Sequence, residues 1–135
     1  YSGVIPLMLN KISEGKEPVI NGDGTQAYDF VYVRDVARAN ILALAAGVPD
    51  AFFNVGTGIG TTVRELCETI MRLKGVDMAL TFKPYSEDDN RQLVKNRIGD
   101  TRKASEMLGF LSEYTLEDGL DELINWRIEE GIDKF

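Results

Sequence analysis

The stretch Asn21-Gly22-Asp23-Gly24-Thr25-Gln26-Ala27-Tyr28-Asp29-Phe30-Val31-Tyr32-Val33-Arg34-Asp35-Val36-Ala37 decides how this chain is read. It opens on four turn formers in a row. Two of them are glycines, so the backbone is expected to visit positive φ there. Phe30 to Val33 is rich in β-formers and predicts a strand. Asp35 then stands where an N-cap would start a helix running to about Ala46. Two readings of the turn stay open. It is either a hairpin turn or a loop whose amides bind an anion or a base edge.

Working outward, helices and strands alternate. Val4 to Glu14 predicts a short helix with Pro6 in its first turn, an apolar face of Leu7, Met8 and Ile12, and Gly15 closing it. Pro18-Val19-Ile20 predicts a strand. The helix after Asp35 carries Val36, Ala39, Ile41, Leu42 and Ala43, a broad apolar surface that is expected to be well buried. Phe52 to Val55 predicts a buried strand. Thr61 or Thr62 caps the next helix, whose apolar side is Val63, Leu66, Cys67, Ile70 and Leu73. Ala79 to Phe82 predicts a strand, and Ser86 to Arg97 a polar loop with a short extended piece. Thr101 to Leu108 predicts a helix ended by Gly109. Thr115 and Asp118 form a capping box for the last helix, whose stripe is Leu116, Leu120, Leu123, Ile124 and Ile128. The fold class is α/β, with short strands and about five helices. With no linker or repeat, residues 1–135 are expected to form one region.

Composition narrows the function. The chain has 135 residues and a net charge of −7, against a general nucleic-acid binder, which needs a basic excess. It has no histidine, which removes His-based acid/base chemistry and the commonest metal ligand. Its single cysteine, Cys67, allows no intrachain disulfide and fits a reducing compartment. No apolar run reaches the ~18 residues of a membrane span and no signal-peptide pattern opens the chain, so a cytoplasmic location is expected. The abrupt apolar start after Tyr1 reads as a piece of a longer protein.

The cluster Gly56-Thr57-Gly58-Ile59-Gly60-Thr61 follows an apolar run and precedes a helix, as a dinucleotide fingerprint would. The fingerprint needs glycine at position 61, and Thr61 stands there. Asp77 lies near the distance of the ribose-binding acid, but it precedes the next strand rather than ending it. A plain strand-turn-helix is the better reading, so no cofactor site is expected here. Glu87-Asp88-Asp89 reads as a solvated loop rather than a metal site, because no ligand spacing recommends it. Asp29 and Asp35 read as turn or cap residues. Cys67 and Trp126 read as packed side chains.

Four segments together carry a resemblance. The opening stretch resembles the G-D-G-x-x-x-R-D-(F/Y)-(V/I)-(Y/H)-V-x-D-(V/L) block of the extended short-chain dehydrogenase/reductase family, the NAD-dependent nucleotide-sugar epimerases and dehydratases. Gly3-Val4-Ile5-Pro6, Phe53-Asn54-Val55-Gly56-Thr57-Gly58, and Asp100 to Phe110 with Lys103-Ala104 and Leu108-Gly109-Phe110 resemble further blocks in the same order. The likeness is to the C-terminal, substrate-side part of a UDP-glucose 4-epimerase-like Rossmann-type enzyme. It implies NAD as cofactor and a homodimer for the intact protein. UDP-hexose or UDP-N-acetylhexosamine leads as substrate, with 4,6-dehydratases and reductases of the family as the nearest alternatives.

The resemblance also implies what this chain lacks. The family's G-x-x-G-x-x-G turn is absent, and no tyrosine here has a lysine four residues on, so no catalytic pair is expected in this chain. The implied substrate-binding residues are Val4, Asn21, Tyr28 and Arg91. Val4 and Asn21 match the nucleotide-base pocket. Tyr28 stands where the family has a phosphate-clamping arginine, and a tyrosine offers one hydrogen bond rather than a bidentate charged pair. Arg91 matches the second arginine, with Arg97 and Lys95 as alternates, and the plain alternative is a solvated loop charge. A rival reading from another class is a non-catalytic binding or assembly module. Without the cofactor part, the helix after Val33 and the Phe53 segment are expected to expose apolar surface and favour self-association.

Overall fold

A computed structural model describes residues 3–48, 51–85 and 94–133 of the chain. Among the described residues, five helices and five short strands follow in the order α1 (Val4–Ser13), β1 (Val19–Asn21), β2 (Ala27–Tyr28), α2 (Val33–Ala45), β3 (Thr61–Thr62), α3 (Val63–Leu73), β4 (Thr81–Lys83), β5 (Asn96–Arg97), α4 (Arg102–Leu108) and α5 (Leu116–Glu129). The α/β class expected from the sequence is the class observed.

The strands form two small sheets. β1 pairs with β4 in parallel, and β2 lies between β3, antiparallel, and β5, parallel. The turn after Asn21 is therefore not a hairpin, because β1 and β2 belong to different sheets. Gly22 and Gly24 do take positive φ, 80° and 78°, as the turn formers require. The Gly22 amide donates to the Lys83 carbonyl and the Thr25 amide to the Asp23 carboxylate. One of those donors thus ties the turn to Lys83 and the other closes the turn itself.

The main core lies where α1, α3 and α5 meet β1. Leu9, Ile12, Ile20, Leu66, Ile70 and Leu120 are fully or almost fully buried there. On α1 the buried side is Met8, Leu9 and Ile12, whereas Leu7 faces outward. α3 keeps its expected apolar spacing and opens on a complete capping box between Thr62 and Glu65. α5 opens on the same device, Thr115 with Asp118. Its buried face runs Leu120, Ile124 and Arg127. Trp126, expected to pack, sits off that face and is 50% exposed.

Arg127 belongs to a buried ionic knot. It donates to both Asp133 oxygens, at 3.0 and 2.8 Å, and to Asn10 at 2.6 Å, and Lys74 adds a second cation at 3.4 Å. The knot ties α1, the end of α3 and the segment after α5 into one unit. Hydrogen bonds from Arg127 hold the Asp133 carboxyl below the ordinary carboxylate range despite burial. Burial pushes the Cys67 thiol up to about 11, which keeps it an inert core side chain.

A second, smaller core gathers Ala39, Ala104, Leu108 and Phe110 between α2 and α4. Three expectations change here. The strand predicted at Phe30 to Val33 does not form, because among the described residues no neighbouring strand offers it a ladder and β-propensity alone cannot supply one. Helix α2 instead starts at Val33, with Tyr32 at the N-cap; the Tyr32 hydroxyl donates to Glu122 at 2.6 Å, and its side chain does not cap the helix. The apolar surface of α2 is not well buried either. Only Asp35 and Ala39 are buried on it, and Leu44 is 87% exposed. The buried strand predicted at Phe52 to Val55 is likewise absent, and Phe52 is 92% exposed.

Candidate functional site

Two carboxylates organise the ground around the site. Asp29 follows β2 and receives the Thr57 amide and hydroxyl at 2.8 and 2.6 Å and the Gly58 amide at 2.9 Å. The glycine-rich turn thus wraps a carboxylate of its own chain. A Cβ on Gly56 would stand 2.4 Å from Asp29 Oδ2, so glycine is needed for the close approach. A dinucleotide pyrophosphate does not fit this turn, since its amides are taken and its charge would meet Asp29. The strand expected before this turn does not form.

Asp35 is the second carboxylate, fully buried at the third position of α2 rather than at its N-cap. It receives the Glu113 amide at 3.1 Å, the Tyr114 amide at 3.1 Å and the Arg38 guanidinium at 2.8 Å. Burial alone would raise its pKa. The Arg38 bond and the two amides outweigh that and hold it below the ordinary range. Asp29 and Asp35 thus fix, respectively, the glycine turn and the segment before α5 to the polypeptide that leaves β2.

Between α1 and the β1–β2 turn lies a cavity of ≈ 510 Å³, within the ~300–1,000 Å³ typical of small-molecule sites. Three of the four expected substrate residues line it together: Val4 from α1, Asn21 at the end of β1, and Tyr28 from β2. Arg91, the fourth, lies outside the described residues, as does Glu87-Asp88-Asp89. Leu7 and Met8 give the helical wall its apolar character. Leu7, turned away from the main core, faces this cavity instead.

Tyr28 is half-buried, and its hydroxyl donates to Gln26 Oε1 at 3.3 Å. Strand β5 runs parallel to β2 in a register that sets Arg97 opposite Tyr28. The Arg97 guanidinium lies 5.8 Å from the Tyr28 ring centroid. Arg97 is exposed, so the pair offers an aromatic face and a cation side by side at the cavity edge. Lys95 contributes its carbonyl, which accepts from the Ala27 amide.

Gln26, Lys11 and Tyr85 also line the cavity, and the sequence reading did not single them out. Lys11 carried a usable signal, since it is seven residues from Val4 and so on the same helical face. Tyr85 carried none. Its ring lies across Gly22, where a Cβ would come within 2.0 Å of it. Among the described residues no group of three acidic or sulfur side chains could hold a metal ion, and no helix is long and apolar enough to cross a membrane.

Comparison with known proteins bears on this geometry. The sequence profile of the NAD dependent epimerase/dehydratase family matches residues 1–56. A Methanocaldococcus jannaschii protein provisionally named a UDP-glucose 4-epimerase is 37% identical over 93% of this chain and 39% of its own length. The UDP-glucose 4-epimerase of Mycolicibacterium smegmatis is 31% identical over 93% of this chain and 39% of that protein. The crystal structure of Thermotoga maritima UDP-glucose 4-epimerase with UDP-glucose superposes with a TM-score of 0.84 at 36% identity, covering 98% of this chain and 41% of that one. The chain thus spans about two fifths of the length of the relatives it matches.

Proposed function

This chain belongs to the NAD-dependent epimerase/dehydratase family, and on that premise we propose that it is the C-terminal, nucleotide-sugar-binding portion of a UDP-glucose 4-epimerase-like enzyme. The observation that carries the reading is the cavity in which Val4, Asn21 and Tyr28 meet. A solved relative with the same fold, 36% identical, holds UDP-glucose.

In this reading each part of the cavity has a task. The apolar wall of Val4, Leu7 and Met8 takes the flat faces of a nucleoside. Arg97 beside Tyr28 meets the diphosphate, and Arg91 is the further cation. Tyr28 contributes a hydroxyl rather than a charge. The rest of the protein holds NAD and supplies the acid/base pair, because this chain has no Tyr-x-x-x-Lys arrangement. NAD would take up a hydride from the sugar and return it, and this chain's share is to bind and orient the substrate. Alone it is inactive. Similar chains include a decarboxylase, a reductase and a 4,6-dehydratase at 29–31% identity, in keeping with a substrate-binding part shared among several reactions.

Calorimetric titration of the full-length protein and of this chain, with UDP-sugars and with NAD, tests the proposal. The full-length protein is expected to bind both, and this chain only the nucleotide sugar, more weakly. A full-length protein that bound neither would refute it.

A further inference from the structure

The cavity has two unlike ends. Val4 opens α1 and Lys11 stands two turns later on the same face; at ~1.5 Å per residue they are about 10 Å apart along the helix. Ile5, beside Val4, shares a small apolar pocket with Phe30. The Phe30 ring is 5.9 Å from that of Tyr28. Tyr28, with Arg97 alongside, therefore belongs to the Val4 end, and Lys11 to the other. Lys11 is exposed and has no ion-pair partner within 4.0 Å among the described residues.

We propose that Lys11 is a specificity-determining residue that donates to a keto oxygen on the edge of the nucleobase. The inference rests on the nucleotide-sugar reading. A nucleotide laid with its phosphates toward Tyr28 and Arg97 directs its base along the α1 wall, past Leu7 and Met8, toward Lys11, so that Val4, which the family resemblance set beside the base, meets the ribose instead. An ammonium has three donors and no acceptor. It is satisfied by a carbonyl oxygen and repelled by an exocyclic amine, whose hydrogens point at it. The cavity therefore selects keto bases such as uracil over amino bases such as cytosine. The discrimination rests on the charged donor, whose hydrogen bond to a carbonyl is worth more than a neutral one and which the amine cannot accept. A purely structural role for Lys11, complementing the C-terminal end of the α1 dipole, would move stability slightly and base selectivity not at all.

The test is titration of the full-length protein with UDP and with CDP, which differ at the pyrimidine ring in the keto or amino group at position 4 and in the hydrogen on N3. The wild type is expected to bind UDP at least about tenfold more tightly. In Lys11→Met the ratio is expected to fall toward one, chiefly through weaker UDP binding, with the thermal midpoint nearly unchanged. An unchanged ratio in the variant would overturn the proposal, and so would equal wild-type binding of the two nucleotides. Equal losses for both nucleotides would overturn it too, because Lys11 would then be serving the phosphates. A wild type that bound neither nucleotide would sink the nucleotide reading itself, a separate result.

Discussion

The α1–α3–α5 half and the α2 half of this molecule use the same alphabet to different ends. In the first, the apolar faces of three helices close on one another, and Leu9, Ile12, Leu66 and Ile70 have no measurable exposure. In the second, α2 carries apolar residues at comparable density, yet Val33, Ile41 and Leu44 face outward, with Phe52 exposed nearby. Apolar periodicity states that a face seeks a partner. It does not state that the partner lies in the same chain. Contiguous exposed apolar surface of this kind marks an interaction site or a liability to associate. Here the reading that places the chain within a longer enzyme supplies the partner.

Truncating one leucine in each half gives the widest separation. Leu66→Ala should cost about 2–5 kcal/mol, the usual cost of a core cavity, whereas Leu44→Ala should lie within about 0.5 kcal/mol of wild type. Urea denaturation of this chain measures both. Equal effects would erase the distinction between the halves. Repeating Leu44→Ala in the full-length protein sharpens it, since a destabilisation that appears only there would locate the missing cover.

A smaller effect is expected where a carboxylate holds the second half together. Asp35→Ala would leave Arg38 and the Glu113 and Tyr114 amides without their shared acceptor, at a cost of about 3 kcal/mol. Asp35→Asn should cost less, because an amide oxygen can still accept. Thermal midpoints of the two variants, ranked in the opposite order, would show that this carboxylate does not act through those donors.

Acid should loosen both halves through the same kind of group. Asp35 and Asp133 have folded pKa values held below their ordinary ones. Each therefore binds its proton more readily unfolded than folded. Their contribution is fully present above the usual carboxylate range and is lost as pH falls through the folded values. The urea midpoint should accordingly drop between about pH 5 and pH 3, and Asp133→Asn should flatten part of that slope. A midpoint independent of pH in that window would contradict the assignment.

The smallest change in stability should accompany the largest change in behaviour. Leu44→Lys with Phe52→Ser should leave the unfolding midpoint of this chain almost unmoved while reducing its self-association in light scattering. A wild-type chain that stayed monomeric at all concentrations would show that the exposed face is not adhesive.

Local chemistry was legible in the sequence. The helix cap at Thr61 or Thr62, the capping box at Thr115, the positive φ of Gly22 and Gly24, the end of α4 at Gly109 and the core face of α3 follow from rules that act within a few residues. The grouping of Val4, Asn21 and Tyr28 was legible only through a family resemblance, because no local rule relates residues on three elements. The strands at Phe30 and Phe52 were misread for the converse reason. A strand needs a neighbour, and whether a neighbour exists is settled elsewhere in the chain.

By itself, then, the sequence determined where α3 and α5 start and where α1 and α4 stop, which turn glycines take positive φ, and that these 135 residues hold no histidine and no cysteine pair. Those are matters of backbone sterics, side-chain reach and inventory. Tertiary structure decided that Asp29 would occupy the amides of a turn resembling a dinucleotide site. It turned Asp35 inward, buried Arg127 in place of Trp126, and set Lys11 and Tyr85 on the walls of one cavity. Each of these depends on which distant groups meet, and the free energy of a buried charge or an open apolar face is fixed by its surroundings rather than by its own identity.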